Sequence, residues 1–105
     1  ENVAPAEVEE FLSTHPAVKL AQVVSMPDNR LGEVVAVFIE LHENAAATES
    51  ELIAFCQGKI ASFKIPRAVR FVHEWPMSAT KIQRVKLREM LLAELATEPK
   101  GTSNE

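Results

Sequence analysis

The stretch Trp75-Pro76-Met77-Ser78-Ala79-Thr80-Lys81-Ile82-Gln83-Arg84 carries the clearest chemical possibility in this chain. Ser78 and Thr80 flank an alanine and lead directly into Lys81. Hydroxyl side chains bond locally to backbone and favour turns and caps over regular structure. The stretch therefore predicts a loop that presents Lys81 just before a helix. A lysine held there can meet an anion; the plainer alternative is a solvated lysine near a helix start. Thr80-Lys81-Ile82-Gln83 also has the spacing of a capping box, which would put Lys81 in the first helical turn. A cation there opposes the helix dipole.

Nothing else in the sequence makes a self-contained active site. His15, His42 and His73 fall in different segments without metal-ligand spacing, so no metal site is expected. Cys56 sits on an apolar helical stripe and reads as a core thiol. Glu7, Glu9 and Glu10 read as a solvated helix face. The three glycines are scattered, so no phosphate-cradling loop is present.

The lysine stretch resembles the C-terminal lysine motif of the adenylate-forming enzymes, which include acyl-CoA and aryl-CoA ligases. Pro76, Ser78, Ala79, Thr80, Lys81, Ile82, Gln83 and Arg84 follow its order, one residue shorter and without the usual glycine before the lysine. Three further segments resemble that family in the same order along the chain. They are Glu1 to Glu9, the turn Pro27-Asp28-Asn29-Arg30-Leu31-Gly32-Glu33, and Phe63-Lys64-Ile65-Pro66-Arg67.

The resemblance implies the C-terminal lid, residues 1–96, of an ATP-dependent, AMP-forming carboxylic acid–CoA ligase; the polar stretch 97–105, with Pro99 and Gly101, reads as a disordered tail. It implies Lys81 as the catalytic lysine for adenylation. It also implies Glu1, Asn2, Phe63, Lys64 and Arg67 as CoA contacts made in a second orientation of the lid. The alternative for the Phe63 segment is an aromatic packed in the core beside solvated cations. The implied partners are an N-terminal adenylation domain of the same chain and a carboxylic acid substrate. ATP, CoA and Mg2+ belong to the full-length enzyme, with none bound by this domain alone, which is expected to be inactive. The other reading is a free-standing small α/β binding or regulatory module without catalysis.

Length and composition bound these readings. A chain of 105 residues is one domain. Glu1 opens in mid-motif, so the chain reads as a piece of a longer protein, with roughly 400 residues upstream. The formal net charge of −4 without a basic run argues against nucleic acid. No apolar run suits a membrane span. A single cysteine excludes an internal disulfide and suits a reducing compartment, so a cytoplasmic location is expected.

The elements that must position Lys81 follow from periodicity. Pro5 suits a first helical turn, and Val8, Phe11 and Leu12 recur on one helical face. Val18, Leu20, Gln22 and Val24 alternate as a strand. Residues 34–41 form an apolar, β-branched run expected to be a central strand buried on both faces. Thr48 and Glu51 fit a capping box, with Leu52, Cys56 and Ile60 behind them. Val69, Phe71 and His73 predict a short third strand. Leu87, Met90, Leu91 and Leu95 predict a last helix. The fold class is therefore α+β, a three-stranded mixed sheet flanked by helices in the order α-β-β-α-β-α.

Overall fold

The computed structural model describes residues 4–97. Glu1 and Asn2, and the expected tail from residue 98 onward, lie outside the described residues. The elements are α1 (Pro5–Leu12), β1 (Val18–Asp28), β2 (Gly32–Leu41), α2 (Glu49–Cys56), β3 (Ala68–Phe71), β4 (Met77–Ser78), β5 (Lys81–Ile82) and α3 (Arg84–Thr97). A 3-10 turn, Ser62–Lys64, precedes β3.

β2 is the centre of the three-stranded sheet, antiparallel to β1 and parallel to β3. Its run Val35 to Ile39 is buried on both faces, as expected of a strand covered on both sides. One face packs Val8 and Leu12 of α1 and Leu52 and Cys56 of α2 against Val35, Val37, Ile39 and Val69. The opposite face packs Leu87 and Leu91 of α3 against Val24, Ala36, Phe38 and Ala68. The domain thus has two cores separated by one sheet; α3 roofs the second, with Trp75 and Ile82 packed beside it. The expected stripe on α3 loses Met90, which is 47% exposed; Leu87, Leu91 and Leu95 take the sheet-facing line at four-residue spacing.

Three local expectations change. The alternation of β1 breaks because the register shifts between Val18 and Leu20. Such an irregularity moves the following side chains to the other face. Val18 therefore shares a core with Ala21 and Val23, while Val24 faces α3. The β1–β2 turn begins two residues later than the Pro-Asp signal suggests. Pro27 and Asp28 stay in the strand, which an edge strand tolerates. The Asp28 carboxylate accepts the N–H groups of Arg30 and Leu31 at 3.0 and 2.9 Å. β3 ends at Phe71, so His73 lies beyond it.

The capping box on α2 forms as expected. Thr48 Oγ1 accepts the Glu51 N–H at 3.1 Å, and the Glu51 carboxylate accepts the Thr48 N–H at 2.8 Å.

Candidate functional site

Lys81 is exposed, but not on a loose loop. It opens β5, which pairs antiparallel with β4: Ser78 faces Lys81 and Met77 faces Ile82. The Gln83 N–H donates to the Pro76 carbonyl at 2.8 Å and closes the base of this hairpin. The expected capping box from Thr80 to Gln83 does not form. Thr80 is spent in the hairpin turn, and the Gln83 carbonyl instead accepts the first helical bonds, from Lys86 and Leu87. Lys81 is thereby excluded from α3, and the conflict with the helix dipole disappears.

Ala79 and Thr80 form the two-residue loop, and Ala79 has φ +54°. A positive φ at the first central residue is the pattern of a type II′ hairpin turn, which prefers glycine there. The shortened motif thus places alanine where left-handed backbone is required. That conformation costs an L-residue roughly 1–2 kcal/mol, partly offset in a glycine variant by greater unfolded-state freedom. Ala79→Gly should therefore stabilise the domain by about 0.5–1 kcal/mol, net of those terms. A denaturant midpoint that stays put or falls would contradict this.

Two anchors bracket the hairpin. On the entry side, the Trp75 indole N–H donates to the Glu40 carboxylate at 2.7 Å. Lys19 Nζ lies 3.5 Å from the same carboxylate. The indole bond, followed by the lysine charge, outweighs partial desolvation and holds the Glu40 carboxyl below the ordinary glutamate range. The sign of the linkage follows from that depression. The stabilisation is complete above the unfolded-state value and is lost as pH falls through the lower folded-state value. Trp75 is the only tryptophan, so its fluorescence should report the loss. We expect an acid transition below the ordinary glutamate pKa that Glu40→Gln abolishes. An unchanged titration in that variant would remove Glu40 as its source.

On the exit side, Arg84 Nη1 donates to the Glu9 carboxylate and, at 3.1 Å, to the Val23 carbonyl. The same Glu9 oxygen accepts the Val23 N–H at 2.8 Å. Val23 lies on β1, an edge strand whose outward backbone groups have no strand partner among the described residues. Arg88, one turn further along α3, covers the next outward carbonyl, donating to Ser25 O at 3.1 Å. Glu49 serves the other edge by accepting the Val69 N–H at 2.8 Å. Glu9 is thus corrected from a solvated residue. Its side chain is only 14% exposed, because it faces the edge of β1 rather than water. Glu7 is also engaged, 2.6 Å from Lys64. Glu10 alone of the three remains exposed without an ion pair among the described residues.

The Phe63 segment divides. Phe63 is 45% exposed, so it is not a core aromatic. It and Arg67 line one groove of about 550 Å³, together with Leu31, Val85, Arg84 and Arg88. Lys64 turns away to Glu7, its ammonium 5.6 Å from the Phe63 ring centroid. The groove combines apolar walls and a half-exposed ring with the guanidinium of Arg67, while those of Arg84 and Arg88 are paired with Glu9 and Glu33. Such a lining suits a ligand with a planar ring and phosphates.

Cys56 is buried, and burial pushes its thiol pKa up, which leaves it unreactive. His15 accepts the Ala17 N–H and stands edge-on to Phe55, a structural role. Among the described residues no group of His, Cys, Asp or Glu could hold a metal ion. No described helix is long and apolar enough to cross a membrane.

Residues 7–81, ending on the lysine itself, match the family model described as the AMP-binding enzyme C-terminal domain. The chain belongs to this family. This C-terminal domain is 50% identical over 90 residues to the mitochondrial medium-chain acyl-CoA ligase of Danio rerio, covering 85% of the chain and 15% of that protein. Its fold superposes on a Mycobacterium tuberculosis fatty acyl CoA synthetase with TM-score 0.80 and 32% identity, covering 90% of the chain and 19% of that structure. It also superposes on the amide bond synthetase McbA of Marinactinospora thermotolerans with TM-score 0.81 and 33% identity, covering 87% and 19%. The chain therefore spans less than a fifth of the length of these relatives.

Sequence reasoning missed Arg84 and Glu9 as a pair. The basic residue closing the lysine motif was visible, but nothing local connects it to a glutamate 75 positions away.

Proposed function

We propose that this chain is the mobile C-terminal domain of an ATP-dependent, AMP-forming acyl- or aryl-CoA ligase. The observation that carries the reading is Lys81. It stands exposed on a hairpin tied at both ends to the sheet, within a domain whose relatives are named acyl-CoA ligases and synthetases.

In one orientation Lys81 enters the active site of the N-terminal domain. A carboxylate oxygen of the substrate attacks the α-phosphorus of ATP, the bond to the bridging oxygen breaks, and pyrophosphate leaves. A fixed ammonium beside those oxygens stabilises the charge that develops. It has no ion-pair partner among the described residues from which it must first be withdrawn. In the other orientation the groove lined by Phe63 and Arg67 faces CoA. The ring stacks on adenine and Arg67 meets phosphate, while the CoA thiol attacks the acyl carbonyl and AMP departs. Lys64 joins only if its pair with Glu7 opens, so Arg67 carries more of this contact. Glu1 and Asn2 keep their proposed place near the CoA tunnel. ATP and Mg2+ are held by the N-terminal domain. A reducing compartment, for which we infer the cytoplasm, suits the free thiol of Cys56.

The test is Arg67→Glu in a full-length ligase carrying this domain. One charge-assisted phosphate bond is worth about 1.5–3 kcal/mol. The KM for CoA should therefore rise roughly 10- to 100-fold, with adenylation little changed. Equal losses in both half-reactions would mean a folding defect and reject the contact.

A further inference from the structure

The exit-side anchor has the geometry of a brace rather than of simple edge protection. Arg84 follows Lys81 by three residues and begins α3. Its Nη1 holds a carboxylate of α1 and a carbonyl of β1 at once. Glu9 returns the contact to the same residue of β1 through the Val23 N–H. The three groups close a small ring of bonds over a strand that is itself anchored in the core: Val23 is 5% exposed. Because Val23 cannot move without disturbing the sheet, Arg84 cannot move without breaking two bonds. The chain from Arg84 back to Lys81 is short and already paired as β5.

We infer that Arg84 is a positioning residue for Lys81, acting through its clamp on Glu9 and Val23. The inference rests on the reading of Lys81 as the adenylation lysine. The brace makes the hairpin one rigid body with α1, so the lysine is aimed by rotation of the whole domain and not by flexing of its loop. Displacement of a reacting or stabilising group by about 1 Å can lower a rate about a hundredfold, so a loosened brace should be visible in turnover.

The experiment measures the adenylation half-reaction as ATP–pyrophosphate exchange at saturating ATP and acid, in a full-length ligase carrying this domain. Arg84→Gln should lower the rate roughly 10- to 100-fold. Glu9→Gln keeps an oxygen for the Val23 N–H but loses the ion pair, and should lower it in the same direction with less risk to folding. Both bonds from Arg84 leave one nitrogen, so a lysine ammonium can supply both, and Arg84→Lys should recover most of the rate. The deciding readout is the same pair of substitutions placed on Lys81→Ala. If Arg84 works through Lys81, neither should slow that variant further. A loss of the same factor in both backgrounds would show a general structural role and overturn the inference. So would a wild-type rate for Arg84→Gln alongside a crippled Lys81→Ala. A wild-type rate for Lys81→Ala itself would overturn the underlying reading and the inference with it.

Discussion

Lys81→Ala, in a full-length ligase carrying this domain, should lower acyl-adenylate formation by about a hundred- to thousandfold, the usual loss when one preorganised charge donor is removed. Thioester formation from supplied acyl-adenylate should remain largely intact, because the proposed second orientation withdraws the lysine. The geometry sharpens the choice of lysine. Lys86 is the other cation near this end of α3, but it lies on the helix surface 3.9 Å from Glu89. Both partners are more than half exposed, and such pairs contribute little to stability. Lys86→Ala should therefore leave both half-reactions near the wild-type rate. Acetylation of Lys81 should reproduce the alanine phenotype, since it removes the charge while keeping the stem. If adenylation survives in Lys81→Ala, or if Lys86→Ala shows the loss instead, the assignment of the adenylation lysine is wrong.

The difference between those two lysines was only half legible before the fold was known. The sequence placed both near the start of one helix. What separates them is the hairpin, and its signal was too short to read. β4 and β5 have two residues each, and the loop Ala79-Thr80 lacks the Asn-Gly or Gly-X chemistry that normally marks a two-residue turn. By contrast, the central strand and the capping box of α2 depend on burial or on neighbours three residues apart, and both were readable. The same divide explains Glu9. Its carboxylate looked solvated because its helix neighbours are polar, yet its partners lie 14 and 75 positions away. Phe63 resisted for a related reason. An aromatic beside lysine and proline can pack or bind, and only its exposure beside Arg67 in the groove separates the two.

The two-core arrangement gives stability a functional address. Leu87 is fully buried on the face of the sheet that α3 covers. Leu52 is fully buried on the other face, under two helices. Truncating either leucine to alanine should cost about 2–5 kcal/mol, the lost burial plus the cavity left behind. That is a large share of the roughly 5–15 kcal/mol that holds a domain folded. The consequences should differ. Ile82 of the hairpin and Trp75 at its entry pack on the same cluster as Leu87, so Leu87→Ala loosens the support of Lys81 directly. Leu52→Ala weakens the α1–α2 face and reaches that support only indirectly, through Glu9 of α1 and its bond to Arg84. Amide exchange should accordingly rise first in β4, β5 and the start of α3 for Leu87→Ala, well below the global unfolding free energy. For Leu52→Ala the same amides should exchange closer to the global unfolding free energy. At a temperature where both variants remain folded, adenylation should fall more in Leu87→Ala than in Leu52→Ala. Identical exchange patterns in the two variants would show that the two faces unfold as a single unit, with no separate control over the lysine hairpin.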